Sequence, residues 1–418
     1  MANKRSAEIV PRESLHRIEP ALLEGEIPEE VADLAGELTA AAAAFGNALH
    51  PRAAASLADL VRIMDSYYSN FIEGHNARPA DIVRALEGRF EDKEERRNLQ
   101  IEAAAHVRVQ RYVDKLNAEG APPEPASVAF LQDLHRRFYE GASEAMLAIK
   151  RGDHSCEMVP GEFRSKPLHD VVVGRHQPPA SECVADFMAY FADRYRFEGK
   201  SMVARVLMAA CAHHRLNYIH PFPDGNGRVS RLMSHAMLQY AGVGAHGLWS
   251  VSRGLARGLD DRSDYKRMMD LADTPRESDL DGRGNLSRRT LVVFVAWFLR
   301  VCLDQVRFMS SLFELNRLSE RLRMFAERDA KLGEAGARLL EEAAIRGEFP
   351  RGAITRITGR PERSARRILN DLIGRGILAS DTPKGPVSLR FSLPIAESLF
   401  PLIFLRASAG SEGIVGFS

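Results

Sequence analysis

The sequence predicts a mainly α-helical protein with two small β excursions, on three observations. Apolar residues recur at helical spacing through long runs on both sides of residue 220. Clusters of Pro, Gly and Asn interrupt those runs where helices would end. Short runs of β-forming residues are confined to Val171, Val172 and Val173 and to the C-terminal part.

The bulk numbers set the frame. A chain of 418 residues is long enough for two or three domains, each with its own core. Its 45% hydrophobic and 27% charged content is that of an ordinary globular protein. A formal net charge of +1 excludes an overall attraction to nucleic acid or membrane, though it leaves room for a local basic patch. The basic start, Met1 to Arg5, is followed by no apolar run, so no signal peptide is expected. The apolar stretches at 291–298 and 399–405 are too short to span a bilayer. Cys156, Cys183, Cys211 and Cys302 are scattered, with no CxxC pair, which suggests reduced thiols in a cytoplasmic protein.

The elements follow in order. The first thirty residues mix Pro, Glu and Arg without periodicity and read as an arm. Residues 29–80 read as helical, with an apolar face at Leu57, Leu60, Val61 and Met64. That run closes on Glu73-Gly74, a glycine suited to a helix C-cap. Glu73 is out of place there, because a helix C-terminus favours a cation. It is either a solvated surface carboxylate or one placed to meet a positive partner elsewhere. Residues 92–118 and 126–140 are further helices, separated by Ala121-Pro122-Pro123-Glu124-Pro125. Val171, Val172 and Val173, bounded by turn residues, suggest a hairpin, which would have to pack on the helices to be stable. Helices resume at 181–197, 201–218, from about 226 to 240, and through 286–327.

From Gly333 the pattern changes. Residues 335–346, 353–358 and 362–375 read as three helices with a tight turn before the third. Ile377, Leu378 and Ala379, a Pro/Gly turn, and residues 387–393 then read as a two-stranded wing. Together these make a winged helix-turn-helix pattern. Its third helix carries Arg363, Arg366, Arg367 and Arg375 against Glu362 and Asp371. Such a face suits phosphate contacts with DNA, and equally a protein partner or plain solvation.

The chemistry is concentrated in His220-Pro221-Phe222-Pro223-Asp224-Gly225-Asn226-Gly227-Arg228-Val229-Ser230-Arg231. Gly225, Asn226 and Gly227 lie where one helix ends and the next begins, so free amides at a helix N-terminus can form an anion site. Arg228 and Arg231, three apart, project from one side of the first turns and can clamp phosphate oxygens. Asp224 is a hard oxygen ligand of the kind Mg2+ uses beside phosphates. His220 can act as a general base near neutral pH. Phe222 reads as an apolar anchor for the loop. Base, metal ligand, anion hole and paired arginines point together to attack on a phosphoryl centre.

The same twelve residues match the H-x-F-x-[DE]-G-N-G-R-x-x-R motif of the Fic (filamentation induced by cAMP) domain throughout. The chain also resembles that family in the flanking helices, the hairpin ahead of the motif, and Trp249-Ser250-Val251-Ser252-Arg253 after it, over much of residues 30–320. The resemblance implies protein adenylylation: AMP passes from ATP to a Ser, Thr or Tyr hydroxyl of a target protein or of the chain itself. It implies His220 as base, Asp224 on Mg2+, and Gly225, Asn226 and Gly227 as the anion hole, with the Asn226 side chain on the α-phosphate. It places Arg228 on the β-phosphate and Arg231 on the γ-phosphate. Val171, Val172 and Val173 resemble the flap that docks a strand of the target. Arg262 and Tyr265 are candidate neighbours of the adenine.

Ser69-Asn70-Phe71-Ile72-Glu73-Gly74 resembles the family's inhibitory motif, [ST]-x-x-x-E-[GN]. There the glutamate pairs with the second motif arginine, here Arg231, and Ser69 lies one turn before it. The implied layout is an N-terminal helical region with that motif at 1–120, a catalytic core at 121–328, a winged helix at 333–405 and a tail at 406–418. Three alternatives stand beside adenylyl transfer: removal of AMP at the same site, transfer of another group, and a nucleotide-sensing DNA-binding regulator. Gly227, where a kinase-like branch of the family carries lysine, argues against phosphate transfer. Homodimers occur among related proteins.

Overall fold

The computed structural model describes residues 13–404 apart from 121, 152 and 153. The expected tail at 406–418 and residues 1–12 of the N-terminal arm lie outside the described residues. No helix among the described residues is long and apolar enough to cross a membrane.

Residues 13–28 are irregular save for one 3-10 turn, yet Ile18 and Ala21 are fully buried. The expected helical run divides into α1 (Glu29–Gly46), α2 (Pro51–Ile72) and α3 (Pro79–Leu86). Pro51 and Pro79 each sit in a first turn, where the missing N–H costs nothing. α2 closes with a Schellman pattern: His75 N–H donates to the Asn70 carbonyl, Gly74 N–H to that of Phe71, and Gly74 has φ 80°.

Next come α4 (Glu94–Ala118), α5 (Val128–Phe138) and α6 (Glu144–Leu147). A hairpin not foreseen from sequence follows, β1 (Ala148–Arg151) paired with β2 (His154–Glu157). The expected hairpin at Val171, Val172 and Val173 is corrected. The structure has only one antiparallel bridge there, Val173 to His176. Three valines without an apolar partner strand cannot extend a ladder, and Val172 is 65% exposed.

The centre is α8 (Met202–Ile219) and α9 (Asn226–Tyr240), reached through α7 (Val184–Arg194). α8 is buried almost all round from Val206 onward, as a helix without a polar face must be. α9 packs on α8, and α2, α4, α5, α10 (Val251–Arg257), α11 (Asp264–Ala272) and α12 (Arg288–Phe313) complete the shell. α10 and α11 were not foreseen as helices. Both are short, and each follows a loop rich in Gly or Asp.

α13 (Leu315–Glu327) leads to the C-terminal part: α14 (Gly333–Arg346), β3 (Glu348–Phe349), α15 (Ile354–Thr358), α16 (Glu362–Gly374), β4 (Leu378–Ala379), β5 (Val387–Leu389) and α17 (Leu393–Leu399). Its strands form an antiparallel sheet in the order β3-β5-β4, with Phe349 opposite Val387 and Leu378 opposite Leu389. Two expectations are corrected here. β3 adds a third strand, and the run after Val387 turns into α17 because Pro394 opens a new helix. This part lies along α2. Arg52 pairs with Glu348 at 3.1 Å and Asp381 at 2.9 Å, and the Tyr68 hydroxyl donates to the Ile403 carbonyl at 3.2 Å. The buried apolar side chains form one contiguous cluster from Ile18 to Ile403.

Candidate active site

The loop between α8 and α9 holds the site, and its shape begins with two backbone constraints. His220 caps α8 in the left-handed region, φ 51° and ψ 59°, a conformation costly to a residue with a Cβ. Gly225, with φ 78°, caps α9; a Cβ there would lie 2.8 Å from the Tyr139 hydroxyl. The first amides of α9, at Asn226, Gly227 and Arg228, are therefore unspent at a helix N-terminus.

Phe222 is fully buried and stacks on His135, centroids 4.1 Å apart, with Phe163 at 5.1 Å. It anchors the loop as expected of an apolar side chain there. His135 accepts from Gly161 N–H through Nδ1 at 2.8 Å, so its Nε2 carries the proton and donates to the Asp224 carbonyl at 3.2 Å. Burial pushes its pKa down to about 4, which keeps this tautomer neutral.

The Asn226 side chain braces the loop. Its Oδ1 accepts from Phe222 N–H and its Nδ2 donates to the Phe222 carbonyl, both at 2.8 Å, and the amide is 2% exposed.

Asp224 stands at the mouth with a side chain 49% exposed. Its Oδ2 accepts from the Tyr139 hydroxyl at 2.7 Å and from Arg228 Nη2 at 3.0 Å. Burial works against the anion, but the Arg228 charge and the Tyr139 hydrogen bond hold its pKa down to about 2. Arg228 is buried and spans two carboxylates, with Nη1 2.9 Å from Glu102 and Nη2 on Asp224. Glu102 also meets His75 Nδ1 at 3.0 Å, just past the end of α2.

Arg231, 2% exposed, turns to α2. Its Nε donates to the Ser69 hydroxyl at 2.9 Å, and Nη2 to the Ser69 carbonyl at 3.2 Å and Glu73 Oε1 at 2.5 Å. A Cβ on Gly227 would lie 2.5 Å from the same Glu73 oxygen. The Glu73 carboxylate therefore sits directly on the first turn of α9.

His220 is half-buried, and burial followed by the Arg164 charge pushes its pKa down to about 3. A hydrogen bond to the Asn217 backbone works the other way. The ring is neutral at ordinary pH, the state a base requires.

The adenine candidates lie near the end of α2. The Arg262 guanidinium is 5.3 Å above the Phe71 ring. The Tyr265 hydroxyl bonds His213 Nε2 at 2.8 Å and lies within reach of Arg231, while burial pushes its pKa up to about 12. Arg363, Arg366 and Arg367 are exposed on α16, Arg366 pairing with Glu362 at 2.6 Å. Arg375 leaves that face, pairing with Asp329 at 2.5 Å and Asp371 at 2.7 Å.

Sequence reasoning missed Glu102, Tyr139, His135 and Arg164. Each sits on an element other than α9, and none belongs to a local pattern. Among the described residues no group of three or more His, Cys, Asp or Glu could hold a metal. Asp224 alone, anionic and half-exposed, fits an ion whose other ligands come from phosphates.

Residues 125–238 match the family model described as the Fic/DOC family. Over 82 residues the chain is 45% identical to a protein adenylyltransferase Fic of Drosophila willistoni, 20% of this chain and 16% of that protein. Over 89 residues it is 38% identical to a protein adenylyltransferase Fic of Nematostella vectensis, 21% of this chain and 20% of that protein. The matches thus span no more than a fifth of those relatives' length. A Fic family protein of Desulfovibrio desulfuricans shares the fold, with a TM-score of 0.51 at 16% identity over 88% of this chain and 98% of that one.

Proposed function

Taking residues 125–238 as a Fic domain, we propose that this chain transfers AMP from ATP to a hydroxyl of a protein and is held back by Glu73. One observation carries the reading. The carboxylate of Glu73 rests on Arg231 and over the α9 N-terminus, where a nucleotide phosphate would bind. A site that attracts an internal anion so closely is built for an anionic ligand.

The residues divide the work. The unspent amides of α9 and the guanidinium of Arg231 bind phosphate oxygens once Glu73 leaves. Asp224 would hold Mg2+, which neutralises charge on the α- and β-phosphates when bound. Tyr139 and Arg228 fix the Asp224 carboxylate through Oδ2. His220, with one ring nitrogen spent on the Asn217 backbone, takes the proton of the target hydroxyl through the other. The hydroxyl oxygen attacks the α-phosphorus, the bond to the β-phosphate oxygen breaks, and diphosphate leaves. The segment around Val172, exposed ahead of the site, is where a strand of the target would lie.

Beside this enzyme, the C-terminal part is a candidate DNA- or protein-binding module. Its support is the row of Arg363, Arg366 and Arg367 on the exposed side of α16.

The test uses the Glu73→Gly chain with ATP labelled at either end. Label at the α-phosphate should enter protein and label at the γ-phosphate should not; adding His220→Ala should abolish incorporation. Entry of γ-label would mean phosphate transfer and overturn the reading. Release of AMP from a labelled target by the wild type, without incorporation, would favour the reverse reaction.

A further inference from the structure

Arg164 lies outside the motif, 1% exposed, on the loop that leads from β2 towards Val172. Its contacts converge on one short piece of backbone. The guanidinium donates through Nε to the His220 carbonyl at 2.7 Å and through Nη2 to the Ile219 carbonyl at 3.1 Å. Its own N–H donates to the Pro221 carbonyl at 2.8 Å. Three consecutive carbonyls, at the point where the chain enters the left-handed region, are thus held by one residue.

The far side of the guanidinium is fastened as firmly. Nη1 donates to the Ser181 hydroxyl at 2.9 Å and lies 3.3 Å from Asp170 Oδ1, and Nη2 donates to the Pro179 carbonyl at 2.8 Å. Asp170 in turn accepts from Ser181 N–H at 2.7 Å and from its hydroxyl at 2.6 Å.

The placement answers two needs of His220. A non-glycine residue keeps a left-handed backbone only where its surroundings over-determine it. The last carbonyls of α8 lack partners inside the helix, and a cation at a helix C-terminus is favoured by the dipole. Lysine cannot substitute, because the contacts need a planar fork with several fixed donors.

We propose that Arg164 is a positioning residue that sets His220 in the orientation of a base. It also ties His220 to the 165–181 loop, so that the base and the segment carrying Val172 move together. The inference rests on the adenylyl-transfer reading for its rate measurements but not for its spectroscopic one.

Arg164→Met and Arg164→Lys are compared in the Glu73→Gly chain. For Arg164→Met, kcat should fall by about tenfold or more while KM for ATP stays within about twofold, since Arg164 touches neither Arg228 nor Arg231. The backbone NMR shifts of His220, which report its left-handed conformation, should move away from left-handed values in Arg164→Met. Arg164→Lys should restore neither those shifts nor kcat. Shifts that stay put in Arg164→Met, or a KM for ATP that worsens in step with kcat, would overturn the proposal. If Arg164→Met does not fold, Asp170→Asn with Ser181→Ala loosens the far side and keeps the guanidinium. It should lower kcat and move the same shifts, and an unchanged kcat would count against Arg164. Should the Glu73→Gly parent transfer no AMP, adenylyl transfer fails by itself, and the His220 backbone shifts still decide the role of Arg164.

Discussion

Replacing Glu73 should convert a restrained enzyme into an active one, and the structure bounds the size of the change. The carboxylate lies 2.5 Å from Arg231 Nη2, with side chains 19% and 1% exposed. Removing one partner of a buried ion pair costs about 3–5 kcal/mol when nothing replaces it. Here Ser69 still accepts two hydrogen bonds from Arg231, and Glu73 keeps some water, so about 2–3 kcal/mol is a fair share. ATP must repay that share to bind productively in the wild type and nothing in Glu73→Gly. Labelling from α-labelled ATP at subsaturating nucleotide should then rise by about 30- to 150-fold. Glu73→Gln, which keeps an acceptor and loses the charge, should fall between the two. The nucleotide-free Glu73→Gly chain should melt a few °C lower than wild type and recover with ATP and Mg2+. A rise of less than about threefold with folding intact would refute the claim that this pair governs access.

Other perturbations follow from the same geometry. Gly225→Ala puts a Cβ 2.8 Å from the Tyr139 hydroxyl at φ 78°; it should destabilise by about 1–3 kcal/mol in denaturant melts. Tyr139→Phe removes one of two donors to Asp224 Oδ2; the Mg2+ concentration for half-maximal transfer should rise while the melting temperature moves little. Acid should unfold the protein early. Burial lowers the pKa of His106 and His135 to about 4 and of His213 and His220 to about 3. Below the unfolded value near 6.5 the unfolded chain binds protons that the folded chain refuses, so stability falls as pH drops from 6.5 towards 3. Each such histidine contributes a slope of up to about 1.4 kcal/mol per pH unit. His106→Leu should flatten the melting-temperature profile between pH 6.5 and 5, and an unchanged profile would show that His106 is protonated in the folded state.

The chemistry of the loop was legible because it is local. His220, Asp224, the glycines and the two arginines lie within twelve residues, and the turn between two helices follows from Gly225 and the flanking periodicity. The helical class was legible for the same reason, since a period of 3.6 is written within each run. Short elements were the failures. Val171, Val172 and Val173 have strand composition but no partner strand, while β3 and α10 carry too few residues to show a period.

By itself the sequence determined which residues could touch a phosphate and that α2 ends on a carboxylate unsuited to its own helix dipole. Only the tertiary structure decided which charge meets which. It brought together Glu73 and Arg231, 158 positions apart, and set Glu102 between His75 and Arg228. It also brought Tyr139 to Asp224 and Arg164 to the carbonyl of His220. Propensity and capping act over about four residues, and a sequence displays them directly. Buried polar pairs are instead chosen by how whole helices pack, because each buried charge must find a partner wherever the folded chain places one.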